Sequence, residues 1–271
     1  MKQKKVIFGD KEIVAFCRAT QDTNEIHDPA FMAGLGKRVI VPGMFALSQT
    51  VNLSADFLRN HAKSLKVLFN SLLSSGDFVT LCSSPAYGVH NEIRLSAINC
   101  KDTLTSKDEY TRLSVKKTSF KSDQKGLLRR LEVKPEQVET FKRLIECTNH
   151  DVAHFLFAIS YASQALIRSI EEPMTEIEVE IGETICRDHC ISPFYHSLDI
   201  NIPTPFPVYN PEGHLDYYIH FEREKPLKLY SAYVRCEHRG QVIFNAHYKL
   251  VGVTDKIILR MAKEIKHHRV V

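Results

Sequence analysis

Between residues 43 and 58, Met44, Phe45, Leu47, Val51, Leu53, Phe57 and Leu58 fall on nearly every side of a helix. A helix without a polar face is normally buried, so the rest of the chain has to enclose it. The residues after it are suited to that task. Residues 67–69, 78–81, 92–98 and 110–115 are short runs rich in β-branched and aromatic residues, separated by turn residues, and they read as consecutive strands.

One buried helix followed by antiparallel strands that wrap it predicts an α+β chain of the hot-dog type. Ahead of the central helix, Asp10 is a good N-cap for a short helix with Ile13, Phe16, Cys17 and Thr20 on one side, ending at Gln21 and Asp22. Asp28 and Pro29 open a second short helical piece carrying Phe31 and Met32, and Gly34 and Gly36 open a loop.

The pattern then recurs. Residues 140–149 line up with 15–24, so that Phe141 falls on Phe16 and Asn149 on Asn24; residues 157–160 line up with 45–48, and residues 182–185 with 76–79. The three matches are collinear, which predicts two fused hot-dog units, the second closing with strands near 217–221 and 229–234. Such a pair would bury within one chain the face that a single unit buries by dimerising. Residues 116–131 are polar and basic and read as a linker, a solvated charge run or a landing strip for phosphate or an acidic carrier. The division is then 1–120 for the first unit, 121–131 for the linker and 132–271 for the second unit. Residues 256–271 form a basic helix-like tail expected to dock on its own protein. In the second unit Cys147 stands opposite Asp22, Val152 opposite His27 and Phe155 opposite Gly43, and the loop before the second central helix is shorter. That unit keeps the framework and loses the polar residues, and His150, Asp151 and His154 read as surface or capping residues.

A hydrophobic content of 44% and a charged content of 25% are ordinary for a soluble globular protein with a real core. The formal net charge of +4 suits an anionic substrate carrier and gives no sign of a nucleic-acid partner. No apolar run has membrane-spanning length, and the basic start before Val6, Ile7 and Phe8 is too short for a signal peptide, so the expectation is a cytoplasmic protein with no stable membrane insertion. Seven cysteines, an odd and scattered set, point to reduced thiols. The sequence Cys186-Arg187-Asp188-His189-Cys190 lacks the second ligand pair of a zinc site, so no metal is expected.

The residues suited to chemistry lie just before the central helix. Asp22, Asn24 and His27 sit within six positions, and an apolar stretch then breaks at Pro42 and Gly43 into that helix. Asp, Asn and His beside a glycine at a helix start can move a proton and stabilise an oxyanion. The same residues are also common turn chemistry beside a solvated His. Asp22-Thr23-Asn24-Glu25-Ile26-His27, followed by Ile40-Val41-Pro42-Gly43-Met44, resembles the active-site segment of the MaoC-like, R-specific enoyl thioester hydratases and dehydratases. There the pattern reads Gly-Asp-x-Asn-Pro-hydrophobic-His and then hydrophobic-Val-His-Gly-Met. Gln21, Glu25 and Pro42 depart from it, and Val51 stands where some members have a polar residue supporting the Asp.

The resemblance implies an acyl thioester substrate, on coenzyme A or an acyl carrier protein of fatty-acid or polyketide metabolism, and reversible addition of water across its 2,3 double bond. It implies Asp22 and His27 as the acid-base pair holding a water, Asn24 as their orienting support, a Gly43 backbone N–H as oxyanion hole, and no cofactor. Two other readings use the same fold: a non-catalytic module that binds an acyl chain or a partner, and an acyl thioesterase. Thioesterases carry their carboxylate on or near the central helix, where this chain has no acid before Asp56. Two such chains could also pair again as a homodimer of pseudo-dimers.

Overall fold

Both halves of the chain run through a strand, a short helix, a buried helix and four further strands. The computed structural model describes residues 1–69, 72–85, 92–99, 111–114, 116–118, 126–187, 190–224 and 229–254. The first half contains β1 (Lys2–Ile7), α1 (Asp10–Thr20), a 3-10 turn (Glu25–His27), α2 (Pro29–Gly34), α3 (Gly43–Asn52), α4 (Ala55–Asn60), β2 (Ser64–Leu68), β3 (Phe78–Pro85), β4 (Glu92–Asn99) and β5 (Thr111–Ser114). The second contains β6 (Leu127–Val133), α5 (Pro135–Ile145), α6 (His150–Glu171), α7 (Glu176–Arg187), β7 (Cys190–Asn201), β8 (Gly213–Glu224), β9 (Leu229–His238) and β10 (Gln241–Thr254).

The strands form one ten-stranded antiparallel sheet in the order β1-β3-β4-β5-β2-β7-β10-β9-β8-β6. Read outward from the β2·β7 pair, the two sides follow the same strand order. At that junction Leu65 opposes Ile200 and Val67 opposes Leu198, all four buried. Strands facing a core on one side show a period of two: in β6 Arg129, Leu131 and Val133 point inward, and in β3 Val79, Leu81 and Ser83 do. Helix α3 packs on β3 and β4, while α6 packs on β6, β8 and β9.

The correspondence extends to single residues. Both α1 and α5 end on a residue in the left-handed region, Gln21 (φ 52°) and Glu146 (φ 52°), the turn that stops a helix and returns the chain. Phe16 stacks on Phe45 at 4.6 Å, Phe141 meets Phe157 edge-on at 5.5 Å, and Phe16 and Phe141 lie 5.7 Å apart, so four buried rings run from α3 through α1 and α5 to α6. Ser48 and Ser160, matched in the two halves, share a hydrogen bond of 3.2 Å where α3 meets α6.

Several expectations need correction. The 121–131 linker is displaced by β6, whose backbone pairs with β8 along its length. Its arginines are engaged by carboxylates: Arg129 is buried against Glu178 at 3.4 Å and Ser169 at 3.1 Å, and Arg130, though exposed, grips Asp216 through two bonds of 2.7 and 2.9 Å. The match of 182–185 to 76–79 fails because the former lie in α7; the glycine that precedes β8, as Gly76 (φ 77°) precedes β3, is Gly213 (φ 99°). The predicted helix over 43–58 breaks at Leu53 and Ser54 into α3 and α4, whereas its counterpart α6 runs unbroken for 22 residues. Gly9, and not Asp10, is the N-cap of α1. Edge strand β1 was not expected, since its charged alternation carries little apolar signal. The tail at 256–271, Asp188 and His189 lie outside the described residues.

Because Phe141 links the two halves through Phe16 and Phe157, Phe141→Ala should leave a cavity at the junction and cost about 3–5 kcal/mol. Urea unfolding checks this; a loss under about 1 kcal/mol would show that the ring column does not join the halves.

Candidate active site

The chain that leaves α1 is folded back by its own polar groups. Asp22 N–H donates to Cys17 O (2.9 Å), which completes the helix end. The Asn24 N–H donates to Asp22 Oδ1 (3.1 Å), and the Asn24 side-chain oxygen accepts from Ile26 N–H (3.3 Å), caps that start the 3-10 turn and bury Ile26 and His27. Asp28 then caps α2 by accepting from Phe31 N–H at 2.8 Å. The turn is held from outside as well: Ile40 N–H donates to Ile26 O (3.0 Å), and the same stretch is tied to residues 73–75 through Val41 N–H to Leu73 O and Ser75 N–H to Val39 O, both 2.8 Å.

This frame fixes the imidazole. His27 Nδ1 lies 2.6 Å from Ile40 O. A carbonyl only accepts, so Nδ1 carries a proton and the neutral ring presents a lone pair at Nε2. That nitrogen faces Asp22 Oδ2 at 3.8 Å, with the two side chains 8% and 11% exposed. The separation is too long for a direct hydrogen bond and fits a small polar group held between them.

Asp22, Asn24 and His27 line one cavity of about 510 Å3 together with Cys17, Arg18 and Gln164. Asn24 acts on the pair through its backbone N–H, while its side chain is spent on the turn. Gly43 opens α3 as expected but is not among the residues lining this cavity. The space its missing side chain leaves is taken by Phe69: a β-carbon on residue 43 would lie 2.8 Å from the ring's Cε1. A side chain at residue 43 would therefore require the Phe69 ring to shift.

Two lining residues were not anticipated. Cys17 was read only as part of a helix face; burial, followed by the nearby carboxylates of Asp22 and Asp28, pushes its thiol far above the ordinary range. Gln164 comes from α6, in the other half of the chain. Its one sequence signal is an amide in the otherwise apolar and small-residue run around Ala162, Ser163 and Ala165.

In the second half the corresponding residues are engaged otherwise. Cys147 Sγ donates to Asn149 O at 3.3 Å, Asn149 caps α6, Val152 and Phe155 are buried, and the Asn52 amide donates to Ile145 O and Glu146 O at 2.9 and 3.2 Å. Asp151 pairs with Arg59 at 2.8 Å. His154, half-buried and not at the surface, bonds through Nδ1 to Tyr209 O at 2.7 Å, and burial lowers its pKa. Among the described residues no group of three or more His, Cys, Asp or Glu side chains is arranged to hold a metal, and no helix is long and apolar enough to cross a membrane.

A protonated thiol is a poor nucleophile, so Cys17 should resist iodoacetamide in the folded protein at about pH 8 and react after unfolding in urea. Mass spectrometry of the labelled peptide reads this, and rapid labelling of the native protein would contradict the burial argument.

By sequence alone the chain matches no protein-family model and none of the curated proteins. Its fold does match solved structures along nearly its whole length. A MaoC-like dehydratase superposes with a TM-score of 0.57 at 10% identity, covering 93% of this chain and 97% of that one. A MaoC-like dehydratase from Phytophthora capsici gives 0.52 at 13%, covering 94% and 96%. The bifunctional dehydratase-cyclase domain of ambruticin biosynthesis gives 0.52 at 11%, covering 96% and 93%. The ten-stranded antiparallel sheet and its helices are thus the hot-dog fold of the MaoC-like dehydratases.

Proposed function

We propose that this chain is a hydro-lyase that reversibly hydrates enoyl thioesters to 3-hydroxyacyl thioesters, built from two fused hot-dog units of which the first carries the chemistry. The observation that carries the reading is the pairing of Asp22 Oδ2 with His27 Nε2 at 3.8 Å across one cavity, with the His27 tautomer held by Ile40 O. Its location in a hot-dog fold shared with MaoC-like dehydratases supports an acyl thioester, on coenzyme A or a carrier protein, as the substrate.

The gap between the two side chains suits one water. In hydration the water oxygen bonds to C3 while one of its protons passes to whichever of His27 Nε2 and Asp22 is unprotonated. The π electrons move through C2 to the thioester oxygen, and the protonated member of the pair then delivers a proton to C2, collapsing the enolate. The pair has then exchanged one proton between its members, and transfer back between them resets it. Dehydration is the same path reversed. The enolate oxygen is assigned to backbone N–H groups at the start of α3, Gly43 first among them, on the family resemblance, since Gly43 is not among the residues lining the cavity. A helix's first N–H groups lack intrahelical acceptors, and the helix dipole favours negative charge there.

Hydrolysis of the same esters is less well supported. Helix α3 carries no acidic residue, Asp56 of α4 is exposed, and the acidic residues of α6 are Asp151, paired with Arg59, and Glu171 at its end.

Crotonyl-CoA and longer enoyl thioesters should lose their enoyl absorbance with the wild type, and both Asp22→Asn and His27→Ala should reduce turnover roughly a hundredfold or more while leaving the fold intact. Wild-type rates in either variant would overturn the assignment. Release of free thiol in place of hydration would show a thioesterase, and binding without turnover an acyl- or partner-binding module.

A further inference from the structure

We infer that Gln164, supplied by the second half of the chain, is a third side chain of the catalytic centre, whose amide oxygen accepts the hydrogen that water keeps as it adds to C3. This rests on the hydratase reading of Asp22 and His27. Gln164 is only 6% exposed, lines the same cavity as that pair, and its Oε1 has no hydrogen-bond partner among the described residues. A buried amide oxygen left unpaired lowers stability, so an unpaired one on a residue that lines a cavity marks the place of a donor that arrives with the substrate.

The pseudo-symmetry of the fold provides an internal control. Ser48 matches Ser160 at the helix contact, which places Asn52 of the first half opposite Gln164 of the second. Asn52 spends its amide on the carbonyls at the end of α5, Ile145 O and Glu146 O. The equivalent helix end on the other side is that of α1, followed directly by Asp22. There the residue is one methylene longer and lines the cavity that also contains Gln21 and Asp22. The same position on the buried helix thus holds a helix end in one half and faces a cavity in the other.

The chemistry defines the donor. Water has two hydrogens; one leaves for the Asp22–His27 pair, and the other stays on oxygen as the 3-hydroxyl. An acceptor for the second hydrogen fixes the water's rotation and turns a lone pair toward C3. A neutral amide oxygen suits this role because it accepts without competing for the proton that must move. In dehydration the same oxygen accepts from the substrate's 3-hydroxyl. The second half therefore completes the site and does more than shape its walls.

Gln164→Met keeps the length of the side chain and removes the acceptor. Hydration kcat should fall roughly ten- to hundredfold with the KM for the enoyl thioester unchanged, since the group affected is the water. Tm should stay level or rise, because an unpaired buried polar atom has been removed. Turnover within about threefold of wild type, a loss confined to KM, or a fall in Tm overturns the assignment of Gln164 alone. Wild-type protein that leaves every enoyl thioester unchanged overturns the hydratase reading and this inference together.

Discussion

The contact between the two buried helices is what everything else depends on. Where α3 meets α6, Ser48 and Ser160 hydrogen-bond across a buried junction, and the rings of Phe45, Phe16, Phe141 and Phe157 carry the packing from one half into the other. Serines at the crossing are small enough for close approach and bond each other, so neither leaves a polar atom stranded. The sheet depends on this arrangement: β2 and β7 meet edge to edge and turn two five-stranded halves into one continuous surface. Each half alone would expose both that strand edge and the apolar side of its helix.

The candidate site exploits the same junction. A polar turn of the first half, pinned by Ile40 and capped by its own Asp and Asn side chains, faces a helix of the second half. Rigidity comes from the turn's own hydrogen bonds, among them His27 N–H to Asn24 O and Asp28 N–H to Glu25 O, and from burial of Ile26 beneath it. The imidazole is oriented by a backbone carbonyl and not by a third side chain, so its tautomer depends on the main-chain path of residues 39–41. The second half lacks such a turn: α6 is capped directly by Asn149, and the Asn52 amide is spent on Ile145 O.

Much of this was readable in the residues. The apolar circumference of 43–58 required enclosure, and the strands after it were short and β-branched, so the wrapped-helix architecture followed from burial alone. The Asp22 to His27 spacing marked a tight polar turn. Phe141 and Asn149 announced the repeat because helix ends and aromatic anchors are local features, and both halves keep them. What misled was charge. Arg129 and Arg130 made a strand look like a linker, since their partners Glu178 and Asp216 are distant in sequence and invisible until the chain folds. Gly182 misled for the related reason that a glycine in a helix and a glycine before a strand look alike without φ.

The sequence by itself determined much of the local physics: the buried helix and the strands that follow it, where the turn falls, and which acid and imidazole share it. Those depend on periodicity and on contacts within a few residues. Tertiary structure alone decided who stands across the cavity from that turn. Gln164 lines the same cavity as Asp22 and His27 because α6 crosses α3 at Ser160, and Phe69 claims the space beside Gly43 because the segment after β2 passes over the start of α3. Such juxtapositions join residues more than twenty and more than a hundred positions apart, and no spacing rule encodes them. Close packing of the two halves is the physical agent that does so.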